Sequence, residues 1–241
     1  MNYTRIYCGQ NLEIGKVLIL IQDSSKHLVN VLRKKEGSLI ELFDGKGSSC
    51  TAEIISSQKK RVKVKLVEEL VFQDRKGIKI SLGQSLIKTE PFSFSIQKAT
   101  ELGVASISPL YTERTVIKLK SNSTKSRKAR WQSIATHACQ QCGENWLPEI
   151  NEIQRLEDWT QAVKAEHKIV LYPNAETKLS SLTFDDSVAI AVGPEGDFTD
   201  SEINLLTEKD FLPVKLGERV LRADTAVISV VSAIRAMCEE F

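Results

Sequence analysis

Between Ser187 and Val192 the chain reads Ser-Val-Ala-Ile-Ala-Val, uncharged throughout, and then breaks into Gly193-Pro194-Glu195-Gly196-Asp197-Phe198. A strand wet on one face alternates with period two, so a continuous apolar run must be covered on both faces, as in a parallel sheet flanked by helices. Lys168-Ile-Val-Leu-Tyr172 is a second such run. Upstream, Ile78 to Leu86 reads as a strand, and Thr89 offers a helix N-cap followed by Glu90 and Pro91, both suited to a first turn. Phe92, Ile96, Ala99 and Leu102 recur at helical spacing, and Gly103 stands where a C-terminal cap belongs. Ala105 to Leu110 is a further strand and Arg130 to Gln141 a further helix. This alternation makes residues 73–241 an α/β domain, a mostly parallel sheet with helices on both faces. Ligands of such sheets bind beyond the carboxyl ends of strands, here Val192 into Gly193, Tyr172 into Pro173 and Leu216 into Gly217.

Residues 1–72 read differently, as short strands: Lys16–Ile21, Ser38–Phe43, Cys50–Ile55 and the alternating Arg61–Val67. Asp44-Gly45-Lys46-Gly47 lies between two of them as a hairpin signal, so a small antiparallel β-barrel is expected. The polar Gln73–Gly77 stretch is the expected linker.

The net charge of +2 hides an uneven distribution. Residues 1–72 hold 12 Lys/Arg against 8 Asp/Glu, and Thr112–Trp131 hold 7 basic residues against the single acid Glu113. Such clusters suit a phosphate backbone, although a solvated face carries charge in the same way. Five cysteines form no paired framework, which points to a reducing compartment. Cys139-Gln-Gln-Cys142 has redox or zinc spacing, but no second pair exists and His27, His137 and His167 complete no ligand pattern, so no metal is expected. The uncharged run Thr225–Ile234 is shorter than the roughly 20 residues a membrane span needs, and the N-terminus lacks a signal-peptide apolar region. A cytoplasmic protein is the default.

Gly-Pro-Glu-Gly alone marks a turn more often than a cofactor site. A second loop, Leu216-Gly-Glu-Arg-Val-Leu-Arg-Ala-Asp-Thr-Ala226, opens directly into an apolar helix, and from Ser121 onward three of only four glycines fall in the two loops. Together these motifs resemble the SPOUT methyltransferases, and within them the RsmE family, which methylates N3 of a uridine in 16S ribosomal RNA with S-adenosylmethionine. His27-Leu-Val-Asn-Val-Leu-Arg33 and Lys98-Ala-Thr-Glu-Leu-Gly-Val104 match the same family in order. The sequence departs from its pattern at Asp197 (usually glycine), Asp224 (usually glutamate) and Glu144 (commonly arginine).

The resemblance implies a SPOUT-like, trefoil-knotted sheet after an N-terminal PUA-like barrel that binds RNA. It implies a cofactor pocket lined by Leu171, Gly193, Pro194, Glu195, Gly196, Leu216, Gly217, Val220, Leu221 and Thr225. Removing the imide proton of uracil needs a base, and the developing carbonyl charge needs donors. Arg222 is the candidate for the anion, its guanidinium being permanently charged, and Glu195 and Asp224 are the candidate carboxylates. Asp224 serves equally as a helix cap, and Glu195 equally holds loop backbone. The candidate RNA contacts are His27, Arg33, Lys34, Lys35 and Lys98, with Lys118, Lys120, Lys125, Arg127, Lys128 and Arg130 along the basic segment. The partners implied are 16S rRNA within the small ribosomal subunit and a second copy of the chain, the barrel of one subunit serving the pocket of the other. A methyltransferase of the same fold acting on tRNA or on a ribose, and a non-catalytic RNA- or ribosome-binding factor, remain as rival readings. A bulky residue at Gly193 or Gly217 is expected to obstruct the pocket.

Overall fold

The computed structural model describes residues 3–58, 61–117 and 124–240. The chain divides into two compact units, Met1–Arg75 with Cys139–Leu147, and Lys76–Ala138 with Pro148–Phe241.

The first unit carries β1 (Thr4–Tyr7), β2 (Val17–Ile19), α1 (Gln22–Lys26), β3 (Leu39–Phe43), β4 (Ser48–Gln58), β5 (Arg61–Leu66) and β6 (Val71–Phe72). They form one sheet in the order β1-β3-β4-β5-β2, with β6 on β4. The alternation read in the sequence is obeyed: Val62, Val64 and Leu66 are buried while Arg61, Lys63 and Lys65 face water. Ile6, Leu18, Leu28, Ile40, Leu42 and Ile54 join them in the core. The hairpin forms as its residues require. Asp44 Oδ1 accepts the N–H groups of Lys46 at 2.7 Å and Ser48 at 3.0 Å, while Gly45 and Gly47 take φ of 79° and 102°. One expectation needs correction, since the sheet is not wholly antiparallel: β1, too short to show an alternating pattern, pairs parallel with β3.

After α1 the chain continues as a π-helical turn, His27–Val31. The wider turn buries Leu28 but leaves Val31 65% exposed. Arg33 follows with φ 52°, and Arg33 and Lys35 are exposed. In the same unit Glu144 turns back on its own loop, Oε1 accepting the Trp146 N–H at 2.9 Å.

The second unit holds β7 (Lys79–Ser85), α2 (Thr89–Glu101), β8 (Ser106–Tyr111), most of α3 (Thr124–Cys142), β9 (Glu149–Ile150), β10 (Gln154–Arg155), α4 (Leu156–Ala162), β11 (His167–Leu171), β12 (Ser187–Val192), α5 (Asp200–Glu208), β13 (Leu212–Val214) and α6 (Ala223–Met237). The sheet order is β10-β8-β7-β12-β11-β13, with β9 on β8, and every pairing is parallel. The run from Ser187 to Val192 is a central strand, as its composition demands. Ala189 and Ala191 pack with Trp159, Leu206 and Phe211 in the layer containing α4 and α5. The pleat then directs Val188, Ile190 and Val192 to the other face, where α6 lies on β12 and α2. After β13, Lys215 hydrogen-bonds on both sides to the Thr177–Leu179 stretch of the β11–β12 connection.

Gly103 ends α2 as expected, with φ 75° and a pair of reversed bonds, Gly103 N–H to Thr100 O at 2.9 Å and Val104 N–H to Ala99 O at 3.1 Å. Thr89, expected as the N-cap, is instead the first helical residue. Lys88 occupies the cap position and makes no side-chain capping bond. Among the described residues no helix is long and apolar enough to cross a membrane.

Candidate active site

A cavity of about 580 Å³ opens beyond the carboxyl ends of β11 and β12. Three connections converge on it. Leu171, Tyr172 and Pro173 come from the end of β11, Gly193, Pro194, Glu195 and Asp197 from the end of β12, and Leu216 to Asp224 from the loop between β13 and α6, Glu218 excepted. Ile87, Lys88 and Pro91, where β7 passes into α2, close the remaining side.

The turn after β12 is held by its own side chains. Asp197 has φ 62°, a left-handed conformation that glycine adopts freely and aspartate tolerates better than most residues. Its Oδ1 accepts the Phe198 N–H at 2.8 Å. Burial pushes the Asp197 carboxyl above its ordinary range, against the opposing pull of the Phe198 N–H and the Arg114 charge. Arg114 Nη1 donates to the Gly196 carbonyl at 2.7 Å, so the segment after β8 braces the turn. A side chain at Gly193 would meet Asp197 Oδ1 at 3.1 Å and Phe198 N at 3.2 Å. The demand for glycine at 193 therefore comes from the turn itself.

Glu195 Oε1 accepts the Lys88 N–H at 3.1 Å, satisfying a donor at the start of α2. Asp224 sits in the first turn of α6, two residues past the N-cap Arg222, and its Oδ1 accepts the Thr225 N–H at 2.8 Å. It is not the cap residue. Neither the second oxygen of Glu195 nor that of Asp224 takes a hydrogen bond among the described residues. Arg222 is exposed and lines the cavity, as does Val220, which is 81% exposed. A side chain built at Gly217 meets nothing within 4 Å.

Of the residues singled out for the cofactor, Leu171, Gly193, Pro194, Glu195, Leu216, Gly217, Val220 and Leu221 line the cavity, with Arg222 and Asp224 beside them. Gly196 and Thr225 do not. Gly196 backs onto Arg114, with the nearest atom 3.4 Å from a built Cβ, and Thr225 is exposed on α6. Lys88, Lys215 and Arg219 line the cavity and were not among the site residues read from the sequence. Arg219 lay within the second motif, and Lys88 was signalled only by following a strand end.

Arg33, Lys34 and Lys35 lie after the π-turn, with Lys34 partly buried. His27 is partly buried within that turn. Lys98 is engaged by Glu101 at 2.8 Å and Lys128 by Glu152 at 2.8 Å. Lys125, Arg127 and Arg130 are on α3, and Lys118 and Lys120 fall outside the described residues. Burial pushes the Cys139 thiol up to about 12, which disfavours the thiolate that a metal or redox pair needs. The one grouping of potential metal ligands among the described residues is Glu166, His167 and Asp185, none of which lines the cavity. There His167 Nε2 meets Asp185 Oδ1 at 2.6 Å, a surface ion pair when the ring is protonated.

Two family models match this chain, an RNA methyltransferase domain over residues 74–235 and an RNA methyltransferase PUA domain over residues 20–67. The chain is 31% identical over 233 residues to the ribosomal RNA small subunit methyltransferase E of Buchnera aphidicola subsp. Schizaphis graminum, covering 96% of this chain and 95% of that protein. A Legionella pneumophila protein solved with bound S-adenosylmethionine superposes with a TM-score of 0.94 at 34% identity over 98% of both chains. The ribosomal RNA small subunit methyltransferase E of Neisseria gonorrhoeae, also bound to S-adenosylmethionine, gives 0.89 at 31% identity over 98% of both. With two domain models in register along the sequence and relatives matched over nearly their whole length, the chain belongs to the RsmE family of ribosomal RNA small subunit methyltransferases.

Proposed function

We propose that this protein transfers the methyl group of S-adenosylmethionine to N3 of a uridine in the 16S ribosomal RNA of the small subunit. The observation that carries the reading is the cavity of about 580 Å³ assembled by the two motif loops at the carboxyl ends of a parallel sheet. Its size lies within the range of about 300–1,000 Å³ usual for small-molecule sites. Its walls fit the cofactor: Leu171, Leu216, Val220 and Leu221 offer apolar surface for an adenosyl group, and Gly217 leaves backbone open to close approach. The bound cofactor supplies an electrophilic methyl group on a sulfonium.

The protein must position the uracil, take its N3 proton and steady the negative charge on the flanking carbonyl oxygens. Arg222 offers a fork of donors to those oxygens from the start of α6. Glu195 and Asp224 each keep one carboxylate oxygen free of the bonds that orient them, and either can accept the proton. The bound cofactor would give up its methyl carbon to N3 and be left as a neutral thioether, while the carboxylate would pass the N3 proton to solvent. The basic residues after the π-turn and along α3 fit a phosphate backbone.

The active form we infer is a homodimer working where ribosomal subunits are, in the cytoplasm. Val227, Val230, Val231 and Ile234 bury one face of α6, while Ile228 and Ala233 are only partly covered and Met237 is 38% exposed. A second copy would cover that remaining face. Calorimetry and transfer of labelled methyl test the reading together. S-adenosylmethionine should bind equally with and without EDTA, and label should enter small subunits. Binding lost to EDTA and restored by zinc, or label appearing only in tRNA, would overturn it.

A further inference from the structure

A second cavity, of about 310 Å³, lies next to the first. Leu86, Ile87, Phe92 and Trp131, none more than 3% exposed, pack beneath it as an apolar floor, and Phe92 and Trp131 brace each other with ring centroids 4.9 Å apart. Thr89, Ser126, Arg127 and Arg130 supply its polar atoms. The arginines are three positions apart on α3, so their side chains leave the same face of the helix. Among the described residues neither is paired with a carboxylate, and the adjoining residues 118–123 contain no acid. Lys128 between them is paired with Glu152, which leaves the two arginines as the uncommitted charges of that turn. Ile87 lines both cavities, so the two adjoin through a single residue.

We propose that this second cavity seats one nucleotide of the RNA strand, the neighbour of the uridine being methylated, with its phosphate held by Arg127 and Arg130. The inference rests on the reading of the first cavity as the methyl-transfer site. A fixed fork of guanidinium donors suits a phosphate, and two such forks lining one cavity, rather than scattered over a face, make a seat of it. The volume is at the small end of ligand pockets, which run from about 300 Å³, and so suits one nucleotide rather than a longer segment. A strand gripped there is fixed in register, which places its neighbour at the methyl group and makes the enzyme selective for an unpaired segment over a duplex.

Two full-length variants test the proposal. Arg127→Gln/Arg130→Gln removes the charges from the surface of α3, and Thr89→Phe fills the cavity while keeping every charge. Calorimetry with S-adenosylmethionine should show wild-type affinity for both. Titration of a labelled single-stranded RNA hexamer into the cofactor-loaded protein should show at least tenfold weaker binding for both. For the double variant, the slope of log affinity against log salt should fall by roughly 0.7 for each phosphate that is no longer neutralised. The KM for small subunits should rise more than kcat falls. Weakening by the arginine pair alone, with Thr89→Phe binding as the wild type does, would reduce the cavity to diffuse attraction and overturn the proposal. So would wild-type hexamer affinity in both variants. A protein that binds the hexamer through this cavity yet methylates no subunit would instead overturn the reading of the reaction.

Discussion

Asp197 carries a cost that the loop around it explains. It occupies a left-handed position, and burial raises its carboxyl pKa. A carboxyl whose folded pKa lies above its unfolded value contributes stability that is complete below the unfolded pKa and lost as pH rises through the folded one. At neutral pH the ionised group therefore works against folding. Asp197→Asn keeps the acceptor for the Phe198 N–H and the tolerance of positive φ, and it removes the charge. It is expected to be at least as stable as the wild type at pH 7, with the difference shrinking as pH falls toward 4, by denaturant melts across that range. The three loop glycines read alike in the sequence, and space separates them. Gly193 answers to its own turn, Gly196 to Arg114, and Gly217 alone points into open volume on the cavity wall. Gly217→Val is expected to weaken S-adenosylmethionine binding at least tenfold, about 1.4 kcal/mol, while Tm moves little. Unchanged affinity by calorimetry would remove the cavity from the reaction. Lys88 shows where reading by residue type stops, since nothing local to it announces a ligand and only strand order brings it to the cavity.

At the scale of elements, the long periodic segments were legible and the short ones were not. β12 was read to the residue because a doubly covered strand permits no polar interruption, and the end of α2 because only glycine suits its reversed cap. β9, β10 and β13 have two or three residues each, too few for any period. α5 had a usable signal that went unread: Thr199-Asp-Ser-Glu202 is a capping box, with both reciprocal bonds formed. α2 and α4 cover opposite faces of the sheet, and the approach on the α4 side depends on Gly83 in β7. A Cβ there would fall 2.5 Å from Trp159 Cζ2 and 2.6 Å from Cη2. Gly83→Ala is expected to cost about 1–3 kcal/mol by overpacking. Its Tm should fall by roughly 2–4 °C per kcal/mol, and a Tm equal to the wild type would show that the indole yields freely.

For the whole molecule, the division into a unit of short strands and an α/β unit was visible as a change in period, from alternating strands to strand–helix repeats. The transfer of Cys139–Leu147 to the first unit was not visible, because chain order says nothing of where a segment at the end of a helix packs. The proposed dimer depends on the face of α6 that the rest of its unit leaves open. Ile228→Asp is expected to give monomers by sedimentation with impaired methyl transfer, and a fully active monomeric wild type at assay concentration would contradict the dimer. The central claim concerns the atom that receives the methyl group. Small ribosomal subunits incubated with the protein and isotopically labelled S-adenosylmethionine, then digested to nucleosides and mapped by mass spectrometry, test it most directly. The result expected is label on N3 of a uridine in 16S rRNA, lost in Arg222→Ala; label on a ribose hydroxyl, on another base, or nowhere in the subunit would contradict it.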